Sequence, residues 1–540
     1  MFKKRKIIHL IFIILVLLQV TGCTITNDPA TSDNVTTVSY MGFGALETVG
    51  GSLHNLSIGS NNYIIDVGSF YGDEGSNYPL PSSLDVKSID AIFITHAHAD
   101  HIGRLPLLLE IGYEGPIYMT SVSKDITVVS TLSNLKYIDL GTEEFYYSRN
   151  NNKDTKPVYL DRFNYGQYEV KDKNRVYIKS KRNELNQKGF YLHNSTVDNL
   201  EMEMLGRLEN QIITVNYEEV IELGDGVTAE FFYTSHLPGS SMIYFTAGDK
   251  SILFSGDVGS NNNPFLVENK KFEKPIDYLF VEGTYGTKVT DYITKEERQK
   301  LKEYIGNAIR NNERVVIPAF AVDRSQQVLY EIRNGMNEGI IPENTRVKVF
   351  SPTIEEITNL YIKYSENKDI YKDYFSDNMF TDIFDIKNLE INPTMADSNE
   401  YNLSVDYGEI AVMTSGMIST GFSKEILKQY ISDAGTNFIS VSYQDPDEIG
   451  GMVFNGEEII TIDDIEYEVK ANIYTSSAFS GHANVKQIFD VFGDLSPEQI
   501  YIVHLNSYDK DSLINYYSEN YKSSNIIVPA ISEDYFLYQY

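Results

Sequence analysis

The sequence predicts an α/β protein that folds as two layered domains. At 540 residues, the chain is too long for one small hydrophobic core. Between residues 62 and 120, short apolar runs typical of β-strands alternate with turns and with one helix-like segment. A second stretch, from about residue 290 to residue 444, shows the same alternation. Such alternation is typical of helices packed in layers against sheets, so the two stretches predict two domains.

The first part of the chain predicts the following elements: strand 62–68, strand 90–95, helix 101–112 and strand 115–120. Residues 145–200 are polar with local positive charge, and we interpret them as an insertion. A strand-rich region follows from 213 to 258, in which Gly248 and Asp249 predict a two-residue hairpin turn. One more strand, within 276–286, ends in a turn that contains glycine.

The second part predicts the following elements: helix 294–312, strand 313–322, helix 323–336, strand 346–351, helix 353–364, strand 409–417, a helix near 422–433 and strand 437–444. Residues 365–408 are acidic and irregular, so no element is expected there. Four strands with intervening helices make a complete layered domain. Near residue 470 the pattern of the first domain resumes.

The pattern of residues at the N-terminus predicts an export signal. Four basic residues, Lys3–Lys6, precede an apolar run from Ile7 to Leu18 that ends too soon for a good membrane span. Residues 1–22 therefore predict a signal peptide, and Cys23, the only cysteine, follows in a context that resembles a bacterial lipobox. We expect a lipid anchor on Cys23, a polar tether over 23–37 and an outward-facing membrane lipoprotein, extracellular or periplasmic. The alternative is a plain secretory signal with an incidental cysteine.

The chain is strongly acidic, with a formal net charge of −31. Loss of the signal peptide would remove four basic residues and make the net charge more negative. Such a surface repels polyanions at long range. A nucleic-acid substrate would therefore need a local basic channel or a bound metal to overcome this field.

Three histidines and an aspartate lie within six residues, directly after an apolar strand. In an extended chain, residues two apart point the same way, so His96 and His98 can converge on one ion. Asp100 and His101, at the start of the next helix, can face another side. Imidazole and carboxylate ligands suit Zn²⁺. One ion cannot easily take all four side chains at this spacing, so the pattern predicts a two-metal centre. The alternative is a solvent-exposed histidine-rich loop.

Four segments resemble, in order, the motifs of metallo-β-lactamase-fold hydrolases: YIIDVGS at 63–69, THAHADH at 95–101, His236, and GDVG at 256–259. The resemblance implies the following ligands: His96, His98 and His236 for one zinc ion, Asp100 and His101 for the other, and Asp257 as the bridge. Asp66 would orient these ligands. Zinc is expected from the histidine-rich set, and manganese is the alternative.

The later segments resemble the β-CASP subgroup, which includes ribonuclease J-type enzymes and the endonuclease of mRNA 3′-end processing. They are VEGTYG at 281–286, the stretch 316–332, MTSGM at 413–417, 443–451, FSGHA at 479–483 and VH at 503–504. The resemblance implies a metallo-β-lactamase αββα sandwich with an inserted α/β β-CASP domain. The implied boundaries are 38–287 for the first part of the sandwich, with the insertion at about 145–200, 288–469 for the β-CASP domain, and 470–540 for the return segment.

The resemblance also implies catalytic roles. His504 completes the second zinc site, and His482 acts near the leaving group as general acid, with Glu282 hydrogen-bonded to it. Asp100 steers the nucleophile as well as binding metal. The implied chemistry is attack of a metal-activated hydroxide on phosphorus.

The sequence departs from the family pattern around the substrate. Asn484 stands where the family has an acidic residue, the last motif reads VHLN at 503–506, and the segment 350–354 reads FSPTI. None of these changes removes a metal ligand, but they leave the substrate class open.

Three functions compete. The first is an exported, lipid-anchored dinuclear zinc phosphodiesterase acting on RNA or single-stranded nucleic acid. The second is a hydrolase of the same fold acting on a non-polymeric phosphodiester or ester, which the charge and the export signal favour. The third is a non-catalytic binding lipoprotein, which the complete ligand set opposes.

Overall fold

The computed structural model describes the following residues: 35–70, 80–81, 83–134, 199–288, 294–373, 386–391, 402–418, 420–446 and 448–540. The signal segment 1–22, Cys23, most of the tether 23–37 and nearly all of the 145–200 insertion lie outside them, so the expectations for those segments stay predictions. Within the described ranges, no helix has the length and apolarity needed to cross a bilayer.

Two seven-stranded sheets form the centre of the molecule. The first contains β1 (Thr37–Gly44), β2 (Leu53–Ile58), β3 (Asn61–Ile65), β4 (Ile89–Phe93), β5 (Ile117–Thr120), β6 (Ile212–Val215) and β22 (Asp534–Gln539). The second contains β7 (Ile221–Gly224), β8 (Val227–Tyr233), β9 (Ser241–Ala247), β10 (Lys250–Phe254), β11 (Tyr278–Glu282), β20 (Gln499–Val503) and β21 (Asn525–Ile527). Their spatial orders are β22-β1-β2-β3-β4-β5-β6 and β21-β20-β11-β10-β9-β8-β7.

The two sheets pack face to face through an aromatic core. Phe93 of the first sheet meets Phe245 of the second edge-on, with ring centroids 5.0 Å apart. Phe280 stacks on Phe254 at 4.3 Å and on Tyr501 at 4.5 Å. These side chains are buried, and every second residue of each strand points into this layer.

Helices cover the outer face of each sheet and complete the αββα sandwich. Four lie against the first sheet: α1 (Ala99–Ile102), α2 (Leu105–Glu110), α3 (Ser121–Asn134) and α4 (Asn199–Gln211). Two lie against the second: α10 (Val485–Phe492) and α11 (Lys510–Asn520). The α/β fold class is therefore confirmed, although the predicted helix 101–112 is two short helices, separated at Gly103 and Arg104.

The inserted domain has a parallel sheet of six strands: β12 (Arg314–Pro318), β13 (Arg346–Phe350), β14 (Leu389–Ile391), β15 (Glu409–Met413), β16 (Thr436–Ser440) and β19 (Asn472–Thr475). Their spatial order is β14-β13-β15-β12-β16-β19. Its helices are α5 (Thr294–Arg310), α6 (Arg324–Asn337), α7 (Pro352–Tyr364), α8 (Gly421–Tyr430) and α9 (Ile449–Phe454), and a hairpin joins β17 (Ile459–Ile462) to β18 (Ile465–Glu468).

Two predictions for this domain need correction. It has six strands in its main sheet rather than four, because β14 lies within the segment 365–408 that looked irregular. β19 pairs with β16, with Ser440 opposite Thr475, so the return to the sandwich comes after Thr475 and not at 470. A strand pattern shows periodicity but not which sheet supplies the partner, which is why the sequence placed this strand in the wrong layer.

Several strands end at the same edge of the sandwich, and a polar residue lies at or just after the end of each. β3 and β4 are parallel in the first sheet, and β8, β10, β11 and β20 run in one direction in the second. The residues carried there are Asp66 after β3, His96 after β4, His236 after β8, Asp257 after β10, Glu282 at the end of β11 and His504 after β20. The topology therefore brings together side chains that are more than 400 residues apart in sequence.

The aromatic layer predicts a large cost for truncating its central ring. Phe280→Ala should lower the free energy of unfolding of the sandwich by about 3–5 kcal/mol, because it removes a buried ring and leaves a cavity. Denaturant unfolding followed by tyrosine fluorescence measures this change. Phe536→Ala, at a ring that is 61% exposed, is the control and should change stability by no more than about 0.5 kcal/mol. Equal midpoints for the two variants would contradict the packing described above.

Candidate metal centre

Four ligand atoms converge on one point at this edge. His98 Nδ1 lies 3.2 Å from His96 Nε2 and 3.0 Å from His236 Nε2. Asp257 Oδ2 lies 3.6 Å from the same atom of His96 and 3.5 Å from that of His236. A tetrahedral zinc site with bonds of about 2.0–2.2 Å has ligands about 3.3–3.6 Å apart. The two distances to Asp257 fall in this range and the two between imidazoles are slightly shorter, so the four atoms lie close to the spacing of a tetrahedral metal site.

A second set of ligand atoms adjoins the first. His101 Nε2 lies 3.4 Å from Asp257 Oδ2 and 3.9 Å from Asp100 Oδ2. His504 Nε2 lies 3.5 Å from Asp100 Oδ2 and 3.8 Å from Asp257 Oδ1. Both sets thus include the Asp257 carboxylate, which is the geometry of a bridging ligand.

Five polar atoms of the ligand residues are buried and, among the described residues, lack hydrogen-bond partners: both oxygens of Asp257, Asp100 Oδ1, His101 Nε2 and His504 Nε2. Buried polar atoms without partners are costly and require an explanation. A set of imidazoles and carboxylates that point at one another fits zinc, because the ion would satisfy these atoms together.

The electrostatics of the site favour a cation. Burial lowers the pKa of His96 and His236 well below the usual range and that of His98 to about 4, so these imidazoles are in the neutral form that binds metal. Burial alone would raise the pKa of Asp257, but the imidazoles of His504 and His101 hold it well below its usual range. The carboxylate is therefore ionised and needs positive charge beside it.

Hydrogen bonds on the far side of the rings fix their orientation. Asp66 Oδ2 lies 2.7 Å from His101 Nδ1, and Thr95 Oγ1 lies 3.1 Å from His96 Nδ1. His236 Nδ1 donates to the carbonyl of Gly481 at 2.9 Å. Each contact occupies one ring nitrogen and turns the other toward the metal, as is common for histidine ligands.

The loop that carries the ligands is held by a close backbone approach. A β-carbon at Gly68 would lie 1.4 Å from the carbonyl oxygen of Asp100, so only glycine fits there. Asp66 has a φ of +60° and His504 a φ of +51°, in the left-handed region that is unfavourable for such residues. Surrounding contacts must stabilise both conformations, as is typical of functional sites.

Glu282 connects the metal ligands to His482. Its Oε1 accepts the backbone N–H of Val258 at 2.5 Å, next to the shared Asp257. Its Oε2 accepts from the Thr284 hydroxyl at 2.6 Å and from His482 Nδ1 at 3.0 Å. Burial alone would lower the pKa of His482, but the carboxylates of Glu282 and Asp257 raise it to about 10. This imidazole is therefore a proton donor at neutral pH.

Thr284 links Glu282 to the second ligand set. Its oxygen lies 2.9 Å from His504 Nδ1. Because the hydroxyl donates to Glu282, the oxygen can accept from His504 Nδ1, which directs Nε2 toward Asp100. Three groups of the site were not predicted from the sequence, although they lie within the motifs that carry the resemblance: Thr284, the Thr95 hydroxyl and the Gly481 carbonyl.

All residues predicted as ligands or catalytic groups lie at this edge. The described residues include three clusters of potential ligands: His96, His98, His236 and Asp257; Asp100, His101 and His504; and Asp257, Glu282 and His482. Three histidines are not assigned to the site. His54 is buried against Tyr40, whose hydroxyl lies 2.9 Å from its Nδ1, and His9 and His193 lie outside the described residues.

An αββα sandwich with a buried His/Asp centre at the strand ends defines a metal-dependent hydrolase of the metallo-β-lactamase type. Three family profiles match the chain: the Metallo-beta-lactamase superfamily over 58–124, the Beta-Casp domain over 325–453, and the Zn-dependent metallo-hydrolase RNA specificity domain over 466–529. The chain thus carries, in order, the domains that are found in the β-CASP group of the metallo-β-lactamase superfamily. It is a metal-dependent hydrolase, and zinc is its cofactor.

Characterised proteins resemble the chain over most of its length. Ribonuclease TTHA0252 of Thermus thermophilus is 26% identical over 455 residues, covering 83% of this chain and 89% of that protein. Transcription termination factor FttA of Methanosarcina mazei is 25% identical over 542 residues, covering 96% and 74%. An Integrator complex subunit 11 homolog of Dictyostelium discoideum is 25% identical over 493 residues, covering 87% and 57%.

The shared carboxylate predicts the metal content of variants. Asp257→Asn should lower the zinc retained after dialysis, measured by mass spectrometry, because it removes the anion that both ligand sets share. Asp277→Asn is the matched control: this carboxylate lies at the start of the neighbouring strand and pairs with Lys250 at 3.0 Å. It should retain as much zinc as the wild type. Equal zinc in both variants would exclude Asp257 as a ligand.

Proposed function

We propose that this chain is a dinuclear zinc phosphodiesterase that cleaves RNA or single-stranded nucleic acid. The observation that carries the proposal is the position of His482, whose Nδ1 lies 3.0 Å from Glu282 and 3.8 Å from the carboxylate that joins the two ligand sets. Phosphodiester hydrolysis expels an alkoxide, which is a poor leaving group, and an imidazole at this position could donate a proton to it.

Each group has a separate role in this proposal. His96, His98 and His236 would hold one ion, Asp100, His101 and His504 the other, and Asp257 both. Bound zinc would supply a water of lowered pKa and positive charge for the phosphoryl oxygens. Asp100 would also orient the attacking water, since its Oδ1 has no partner among the described residues.

His482 would transfer a proton to the departing oxygen. Its side chain is 19% exposed, so it is open toward substrate, whereas that of Glu282 is 1% exposed. The hydrogen bond from Nδ1 to Glu282 leaves Nε2–H as the donor. The Glu282 carboxylate keeps the ring protonated until the leaving group takes the proton.

The comparisons favour nucleic acid as the substrate. The profile over residues 466–529 is described as an RNA specificity domain, and one similar protein is named a ribonuclease. The net charge of −31 opposes binding of a polyanion at long range. The metal ions would offset this repulsion locally, because charges at contact distance are screened far less than distant ones.

We also propose that the protein is exported and anchored through Cys23. The support is the sequence alone: the basic segment Lys3–Lys6, the apolar run to Leu18 and the cysteine after residues 20–22. Metabolic labelling with a radioactive fatty acid would test it, with Cys23→Ser as the unlabelled control. Equal labelling of both proteins would exclude the anchor.

A non-polymeric phosphodiester is the second candidate substrate, and the acidic composition favours it. The ligands, His482 and Glu282 would act in the same way on such a compound. The two candidates differ only in whether the substrate extends beyond the scissile phosphate.

Substrate assays separate the two candidates. The zinc-loaded protein from about residue 35 onward should cleave labelled single-stranded RNA, and the cleavage should stop when a chelator removes the metal. Single-stranded DNA and bis(p-nitrophenyl) phosphate are assayed in parallel. Hydrolysis of the chromogenic diester without cleavage of either polymer would favour the second candidate and exclude the first.

The proton-donor role predicts a substrate-dependent loss in one variant. His482→Ala should lower the rate on RNA by about 10²–10⁴-fold, because an alkoxide departs poorly without a proton. The loss should be much smaller for a p-nitrophenyl ester, whose leaving group departs as a stable anion. Single-turnover rates on both substrates measure the difference.

Zinc content serves as the control for this variant, since His482 lies outside the two principal ligand sets. His482→Ala should retain its zinc, unlike Asp257→Asn. Equal losses on both substrates would mean that the imidazole has a role other than protonating the leaving group.

A further inference from the structure

Arg324 is a cation beside the metal centre that the ligand sets do not use. It is the first residue of α6, where the inserted domain meets the return segment of the sandwich. Its Nη1 donates to the carbonyl of Val441 and, at 3.1 Å, to that of Phe479. The guanidinium is therefore fixed between the two domains by backbone acceptors, which do not neutralise its charge.

Most of its hydrogen-bond donors have no partner in the part of the chain that the structure describes. Arg324 Nε is buried and donates to no acceptor among the described residues, and Nη2 has no described acceptor either. The adjacent Asp323 directs its carboxylate to Asn263, Gln327 and Tyr361 instead. An arginine has five N–H donors. Nη1 uses two of them here, and the two of Nη2 have no acceptor among the described residues and are the ones that a ligand could reach.

A nearby arginine, Arg298, differs from Arg324 in the hydrogen-bond partners of its guanidinium. Its Nη1 pairs with Glu331 at 2.9 Å and its Nη2 donates to Gln327 at 2.9 Å. Both guanidinium groups lie near the same ring, 5.3 Å from Phe479 for Arg298 and 5.5 Å for Arg324. The surroundings are thus shared, but only Arg298 has an acidic partner.

Arg324 and the ligand imidazole of His236 both lie close to Gly481. A β-carbon at Gly481 would lie 3.6 Å from His236 Cε1 and 3.7 Å from Arg324 Nη2. Because the residue is glycine, no side chain fills the space between the ligand imidazole and the guanidinium. Gly481 also precedes the proton donor His482, whose ring centroid lies 4.7 Å from that of His236.

We propose that Arg324 binds the phosphate that neighbours the scissile phosphate in a polynucleotide. The inference rests on the proposed function and specifies its substrate as a chain with at least two phosphodiesters. A planar guanidinium with spare donors matches the oxygens of a phosphate, and its bonds to carbonyls hold it in place before the substrate arrives. It gives an acidic protein a local cation for the substrate where the long-range field is repulsive.

A length series of substrates tests the proposal. A dinucleotide has one phosphodiester and a trinucleotide has two, so only the latter can occupy both the metal centre and Arg324. In the zinc-loaded wild type, kcat/KM should rise about ten- to a hundredfold from dinucleotide to trinucleotide, the effect of one charge-assisted contact. Arg324→Met should abolish this gain, and Arg324→Lys, which keeps the charge without the planar fork, should retain part of it.

Two further variants control for a loss of this gain in kcat/KM that is caused by misfolding. Arg298→Lys is the matched control for Arg324→Lys and should keep the full gain, since Arg298 donates to protein groups. Gly481→Leu places a side chain in the space between His236 and Arg324 and should remove the gain while leaving the Arg324 contacts in place. Zinc content and thermal unfolding are measured for every variant.

The salt dependence gives a second readout. The slope of log kcat/KM for the trinucleotide against log salt concentration should become shallower by about one in Arg324→Met, because one phosphate contact is lost. If the wild type gains nothing from the second phosphate, or if both Arg324→Met and Gly481→Leu keep the gain, the inference is overturned. A wild type that hydrolyses no oligonucleotide at all overturns the proposed function instead.

Discussion

The buried carboxylate of Asp257 is the group on which the rest of the site depends. It is 1% exposed, and neither oxygen has a hydrogen-bond partner among the described residues. An ionised carboxylate in such a place is costly unless positive charge lies beside it. The imidazoles of both ligand sets surround it, so a cation bound on either side removes this cost. The same feature that would destabilise the apo-protein is therefore what gives the site its affinity for metal.

The connectivity explains how a large insertion leaves this geometry intact. β11 and β20 are neighbouring parallel strands, with Glu282 opposite Val503. The whole inserted domain lies between them in sequence, yet the hydrogen-bonded ladder fixes the end of one strand against the end of the other. Glu282, Thr284 and His504 meet because of that ladder and do not depend on the path of the chain outside it. The insertion can thus add substrate contacts such as Arg324 without displacing a ligand.

The sequence predicted the parts of this structure that short-range spacing determines. The alternation of His96 and His98 after a strand, and the Gly248 turn with its φ of +61°, follow from local periodicity and backbone conformation. It did not identify Thr284 or the partner of β19, because both depend on contacts between distant segments. A threonine in a turn looks like any other turn residue until the fold places His504 against it, and this is also why Arg324 was not identified.

The acidic composition is compatible with a nucleic-acid substrate, because the surface charges and the groups of the site act on the substrate at different distances. At physiological salt the Debye length is about 8 Å, so charges spread over the surface act on a polyanion mainly before contact and slow its approach. Once the substrate is bound at the metal centre, its binding free energy depends on the groups that it contacts. There the metal ligands would present dications, His482 is a proton donor with a pKa of about 10, and Arg324 has unused donors. The acidic surface repels nucleic acid, whereas the cationic groups at the metal centre attract it. Weak binding elsewhere on the surface is therefore disfavoured. The acidic surface would then confine the polymer to the one place where it can be cleaved.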